Sequence, residues 1–327
     1  MAEVNAARYR PGERGGFYES YFLRANHPTE PRAFWIRYTL MSPKGRPEDA
    51  IGELWAVWFD GAGGTHVAAK NEVPAGRFSF ARDRFDVVVG DARLGPGRAS
   101  GSAASKDHVV SWELEFGGRE RPLLLLARGL YERPWPKAKA LVGLPHARFS
   151  GWVLVDGERY EVRDWVGSQN HNWGNRHTDF YAWGQVAGFD GAGDAFLEVA
   201  SGRLKVGPLW TPMMTLVVLR TAEGEWRCDS VRGALRAKAR VRYFDWSFEA
   251  RAGDVRLRGR ISAERGDFVG LRYFNPPGGV KHCLNSKIAD CRLEVTGGGG
   301  SRILECRQRA AFEILTDRRD HGIPLLV

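Results

Sequence analysis

Apolar and polar residues alternate with a period of two along most of the chain. Residues 16–24, 32–41, 51–60, 65–70 and 84–94 read as strands joined by turn residues, followed by 109–116, 147–155 and 158–164. The pattern resumes over 178–189, 196–204, 211–221, 243–250, 255–263 and 288–295, and 301–315 is either a closing helix or a closing strand. Successive side chains of a strand point to opposite faces. In ELWAVWF, one face therefore carries Glu53, Trp55, Val57 and Phe59, and the other Leu54, Ala56 and Trp58. Both faces are largely apolar, which predicts a barrel wall with something packed against its outside. The small polar stretch 95–107 predicts a loop or irregular hairpin. Residues 121–145 are too broken by proline for one long helix and too apolar to hang in water, so they are expected to pack across a barrel opening. The two series of strands are expected to meet near Gly167, dividing the chain into domains 1–167 and 168–327. No period of 20–50 residues repeats, which excludes a solenoid or propeller.

A chain of 327 residues has room for two such domains, and 40 Gly with twelve Trp suit strands, turns and apolar cavities better than helix bundles. Cys228, Cys283, Cys291 and Cys306 lack CxxC spacing and read as reduced thiols. The first residues show no apolar signal core, and the longest apolar run, 123–127, is far below the roughly 20 residues of a spanning helix. A soluble, cytoplasmic protein is the expectation. The net charge is +9, but Lys and Arg are interspersed with Asp and Glu without a dense basic block. No nucleic-acid partner is expected, while the basic balance leaves room for peripheral contact with a membrane surface.

The densest mixture of titratable and aromatic groups is GSQNHNWGNRHTDFYAWGQVAGF, residues 167–189. If 178–189 is a strand, Asp179, Tyr181, Trp183, Gln185 and Phe189 share one face, and Phe180, Ala182, Gly184 and Val186 the other. The first face reads as the wall of a pocket for a small apolar ligand, in which His, Asp or Tyr can move a proton. A barrel core with satisfied polar groups has the same pattern. The spacings of His171, His177, His282 and Cys283 match no zinc pattern, so no metal is expected. GFDGAGDAF at 188–196 reads as a hairpin turn rather than a dinucleotide loop, and there is no GxSxG elbow or phosphate loop. Glu19, Arg24 and Arg37 lie in strands and read as structurally paired or solvent-facing.

The segment NWGNRHTDFYAWGQVAGF, with Asn172, Trp173, Gly174, Tyr181, Trp183, Gln185 and Phe189 in matching positions, resembles a motif of plant and cyanobacterial tocopherol cyclases. The wider frame, with WELEF from Trp112, Pro122, Tyr131, Pro145 and GWVLVDG from Gly151, is similar to carotenoid hydratases (hydroxyneurosporene synthases) and related double-lipocalin proteins. The resemblance implies an all-β fold of two tandem lipocalin-like antiparallel barrels with a ligand site near their junction. It implies protonation of an alkene in a prenylated or polyene substrate, with water or an internal hydroxyl capturing the cation. Hydratase-like members often carry Asp where Asn170 stands, and an amide cannot donate a carboxyl proton. Tocopherol cyclases carry Lys where His171 stands, which points to His171 orienting a hydroxyl. The catalytic candidates are Asp179, Tyr181 and His171. The substrate-binding candidates are Asn170, Asn172, Trp173, His177, Trp183, Gln185 and Phe189.

The expected function is thus a cofactor-independent cyclase or hydratase acting on an apolar isoprenoid or polyene. Two other functions fit the same residues: a lipid or terpenoid carrier without turnover, and a pericyclase-like template in which shape and hydrogen bonds do the work.

Overall fold

The computed structural model describes residues 4–297 and 300–327. The chain forms two large antiparallel sheets, one from each half. Among the described residues there is one α-helix, Val231–Arg236, of six residues. In each half the first strand pairs with the last. Phe17–Asn26 lies between Arg32–Ser42 and Glu158–Gly174, and Phe180–Phe189 lies between Ala192–Arg203 and Gly300–Thr316. These pairings bend each sheet around its own core, giving two lipocalin-like barrels in tandem. Residues 95–107 form part of the hairpin of Ala92–Gly95 and Arg98–Ala104, and 301–315 belong to the closing strand.

Both interiors are filled with side chains. Leu23, Phe34, Tyr38, Trp58, Trp112 and Phe149 pack together in the first barrel; Val186, Leu197, Trp246, Phe248, Ile261 and Phe312 do so in the second. The buried Tyr38 hydroxyl accepts a hydrogen bond from Trp112 Nε1 at 3.0 Å and donates to the Arg93 carbonyl, also at 3.0 Å, so the polar tips of these rings are satisfied.

The Ile51–Asp60 strand shows how the halves meet. Leu54, Ala56 and Trp58 face the first core. Trp55, Val57 and Phe59 face outward into a separate apolar layer shared with Leu271, Cys283, Ile288 and Leu315 of the second barrel. The two-faced apolar pattern therefore has the cause expected of it: the barrels pack wall against wall.

The sheets change over between Gly174 and Phe180 rather than at Gly167, which lies inside the Glu158–Gly174 strand. Gly167 is not a turn residue. A Cβ there would stand 1.8 Å from the Arg24 carbonyl oxygen of the neighbouring strand, so glycine answers to close backbone approach. All four cysteines are buried free thiols. No helix among the described residues is long and apolar enough to cross a membrane.

Candidate functional site

A cavity of about 480 Å³ lies between the outer walls of the two barrels. Side-chain parity dictates which residues reach it. From the first barrel, Tyr18, Phe22, Asn170 and Asn172 point outward, whereas Tyr21, Leu23 and Ala25 are inward. From the second, Tyr181, Trp183, Glu198, Ala200 and Leu216 point outward, whereas Ala182, Val199 and Val217 are inward. The segment 125–141 supplies Leu125, Leu130, Trp135 and Pro136 as a third wall. This is the proline-broken stretch, and it covers the gap between barrels rather than the mouth of one.

One carboxylic acid stands out on the wall. Glu198 is 3% exposed; its Oε1 accepts from Trp183 Nε1 at 2.7 Å and its Oε2 from Gln185 Nε2 at 2.8 Å. Burial raises its pKa from 4.5 to about 7, against the lowering effect of those two donors and of Arg24. Gln185 also donates to Asn170 Oδ1 at 2.9 Å, and its own carbonyl accepts from Arg24 Nε at 2.8 Å and Ser168 Oγ at 2.6 Å. Arg24 belongs to the first barrel and is wholly buried, which lowers its pKa to about 10. A single polar network thus crosses the interface and ends on the cavity at Glu198.

A second buried group lies beside it. Glu313, on the cavity wall, pairs with the fully buried Lys287 at 2.8 Å. The Lys287 ammonium lies 5.5 Å from the Trp183 ring and 5.7 Å from that of Trp35, and burial lowers its pKa. His177 lines the cavity with its ring tilted 33° against that of Tyr18, at 4.0 Å between ring centroids. Burial and the nearby Arg37 charge depress its pKa to about 3, so it is a neutral ring near pH 7. The Tyr181 phenol is pushed well above its ordinary value, first by burial.

The other residues singled out in the sequence are placed as follows. Asp179 reaches the cavity, but its Oδ1 is bound by Arg176 at 2.5 Å and its Oδ2 by the Lys205 backbone amide at 2.8 Å. A carboxylate held this way anchors a loop, with both oxygens already engaged. His171 borders the cavity but turns its ring into the first barrel, stacked on Tyr21 at 4.1 Å, with Nε2 2.8 Å from Glu19 Oε1 and Nδ1 3.1 Å from the Val4 carbonyl. Glu19 also accepts from the backbone amides of Arg8 and Tyr9, so this pair fastens the chain's early residues across the barrel end. Trp173 is inward too, 4.6 Å from the His171 ring. Asn172 lines the cavity with a buried Oδ1 that has no partner. Gln185 acts behind Glu198 rather than on the wall.

Phe189 departs from the alternation. A bulge between Ala187 and Phe189, at Gly188 with φ +86°, shifts the parity and buries Phe189 in the second core. Arg24, Arg37 and Glu19 are all buried and paired.

Sequence reasoning missed Glu198 and Glu313. The available signal was a lone carboxyl in FLEVA and in AAFEI, where neighbours on both faces are apolar.

No protein-family model matches the chain. Two uncharacterized proteins of Mycobacterium tuberculosis, from strains CDC 1551 and H37Rv, are each 25% identical over 289 residues, covering 86% of this chain and 82% of theirs. Three crystal structures align along nearly the whole length. A Nitrosomonas europaea protein provisionally named AttH has a TM-score of 0.58 at 14% identity, covering 95% of this chain and 98% of its own. Kievitone hydratase from Nectria haematococca has a TM-score of 0.55 at 10% identity, covering 94% and 91%. CghA with Sch210972 has a TM-score of 0.60 at 11% identity, covering 96% and 95%. At these identities the likeness is one of fold, and the two-barrel architecture is common to all four chains.

Proposed function

We propose that this protein is a cofactor-independent hydratase or cyclase that protonates an alkene of an apolar, isoprenoid- or polyene-type ligand held between the barrels, with Glu198 as the acid. The observation that carries this reading is a buried carboxyl on an aromatic and aliphatic cavity wall, with its pKa raised to about 7. A general acid works best when its pKa lies near the working pH. In the reaction, the Glu198 proton forms a new C–H bond with the alkene carbon, using the π electrons. The faces of Trp183 and Tyr181 stabilise the resulting cation. Water or a hydroxyl of the ligand adds to the cation and loses a proton, and the Glu198 carboxylate takes one up again. Gln185 and Trp183 hold the carboxyl in place throughout, and Asn172 Oδ1 is free to accept from a ligand hydroxyl. The fold shared with kievitone hydratase supports the hydratase branch.

The test is to identify the small molecule carried by the purified protein using native mass spectrometry, then to follow its conversion. Wild type should add one water or cyclise the ligand. Glu198→Gln should retain binding and lose turnover by about 100- to 10,000-fold. Unchanged turnover in Glu198→Gln would refute the role of Glu198. Binding without any conversion by wild type would make the protein a carrier.

A further inference from the structure

We infer that the mouth of this cavity is a docking surface for an anionic lipid bilayer, from which the apolar ligand enters. The inference rests on the reading of the cavity as an apolar-ligand site. Three chain segments far apart in sequence each contribute to the cavity lining: 126–140 through Leu130 and Trp135, 203–210 through Lys205 and Val206, and 229–238 through Val231 and Ala234. Each also presents apolar side chains to solvent. The tip of the Lys205–Val206 and Leu209–Trp210 hairpin leaves Val206 66% and Leu209 71% exposed, and Trp135, Trp210, Val231 and Leu235 are exposed as well. A soluble surface gains nothing from such a cluster, whereas an interface between water and acyl chains accommodates it.

Charge identifies the partner. The three segments carry nine Lys and Arg against two acids, Glu132 and Asp229, a surplus of seven out of the chain's net +9. Lys137, Lys139, Arg203 and Lys205 line the cavity itself, with Lys205 also 3.0 Å from Asp317, and the other five cations stand on the same three segments. Arg203 and Lys205 lie over the Trp210 ring, at 4.4 Å and 4.9 Å from its centroid, so basic and aromatic groups occupy the same hairpin. Arg232 and Arg236 stand on the short helix beside the exposed Val231 and Leu235. Basic side chains ringing apolar tips match a surface with anionic headgroups outside and acyl chains beneath. Trp135 and Val206 are each both exposed and part of the cavity lining, so a ligand from that bilayer would reach the cavity past apolar side chains.

The experiment is co-sedimentation of the full chain with vesicles of phosphatidylcholine alone and of phosphatidylcholine with phosphatidylserine. Wild type should bind the phosphatidylserine vesicles at least tenfold more tightly, and added salt should weaken the binding. The double variant Val206→Asp/Leu209→Asp and, separately, Arg232→Glu/Arg236→Glu should each lose most of it. All these substitutions are at exposed positions, and circular dichroism would verify folding. Absence of vesicle binding by wild type, or full binding by both double variants, would overturn the inference. So would a wild-type dimer that Val206→Asp/Leu209→Asp converts to monomer with no effect of lipid, because the face would then meet a second copy. Vesicle binding is read without turnover, so failure here leaves the Glu198 test standing, and failure there leaves this one.

Discussion

Glu198 connects burial to two measurable pH dependences. Its folded-state pKa is raised from 4.5 to about 7, so folding favours its protonated form. That contribution is complete below about pH 4.5 and is lost as pH rises through about 7. The gap corresponds to roughly 3 kcal/mol. Glu198→Gln stays neutral at every pH, so relative to wild type it should gain stability between pH 5 and pH 8, read from urea midpoints at each pH. A flat difference between the two proteins would show that the carboxyl is not desolvated. Turnover, if carried by the protonated acid, should fall above about pH 7 in wild type. At the same scale, Tyr181→Phe and Asp179→Asn should separate: the former alters ligand affinity or turnover at the wall, while the latter takes the acceptor from either Arg176 or the Lys205 amide and should act through loop order. Thermal melts beside binding assays distinguish them. The sequence showed Asn170, Trp183 and Tyr181 as neighbours because they lie in one dense window. It hid Glu198, because a single carboxyl in a strand looks like a solvent-facing position until the outer wall is known to be covered.

Strands were the most legible elements, since a period of two survives in the sequence wherever one face is apolar. Where both faces are buried, as in Ile51–Asp60, alternation faded, yet the apolar content of both faces still told what lay outside. What alternation cannot encode is a shift of parity. The bulge at Gly188 moves Phe189 from the expected pocket wall into the second core, and its only trace is a glycine before the turn. Gly167 was likewise read as a boundary when it marks strand contact. Gly167→Ala should therefore be severe: a Cβ 1.8 Å from the Arg24 carbonyl forces backbone to move, at a cost of about 3 kcal/mol or more. Gly157→Ala serves as the comparison, because a Cβ there meets nothing within 4 Å and suffers only from its φ of +90°. Chemical denaturation of the two variants should rank Gly167→Ala as the more damaged.

At the scale of the molecule, the interface between barrels combines an apolar layer around Trp35, Trp55 and Leu271 with the polar crossing at Arg24. Arg24→Met removes the donors to Gln185, to the Arg309 carbonyl and to the buried Asn26 Oδ1; Ser168 still donates to Gln185, but Asn26 Oδ1 loses its 2.7 Å partner. It should cost about 3 kcal/mol and also loosen the Gln185 contact to Glu198. Loss of stability with wild-type ligand binding would limit Arg24 to a structural role. The wall-to-wall arrangement has a consequence for how such a protein changes over generations. The ligand meets outward side chains, and each barrel is held together by inward ones, so within a strand the two sets occupy alternate positions. Ala182, Val186 and Val199 can keep their barrel closed while Trp183, Glu198 and Ala200 are exchanged. Mutational drift in ligand preference is thereby decoupled from the folding of either barrel, and the same pair of barrels can be refitted to a new molecule without first losing its shape.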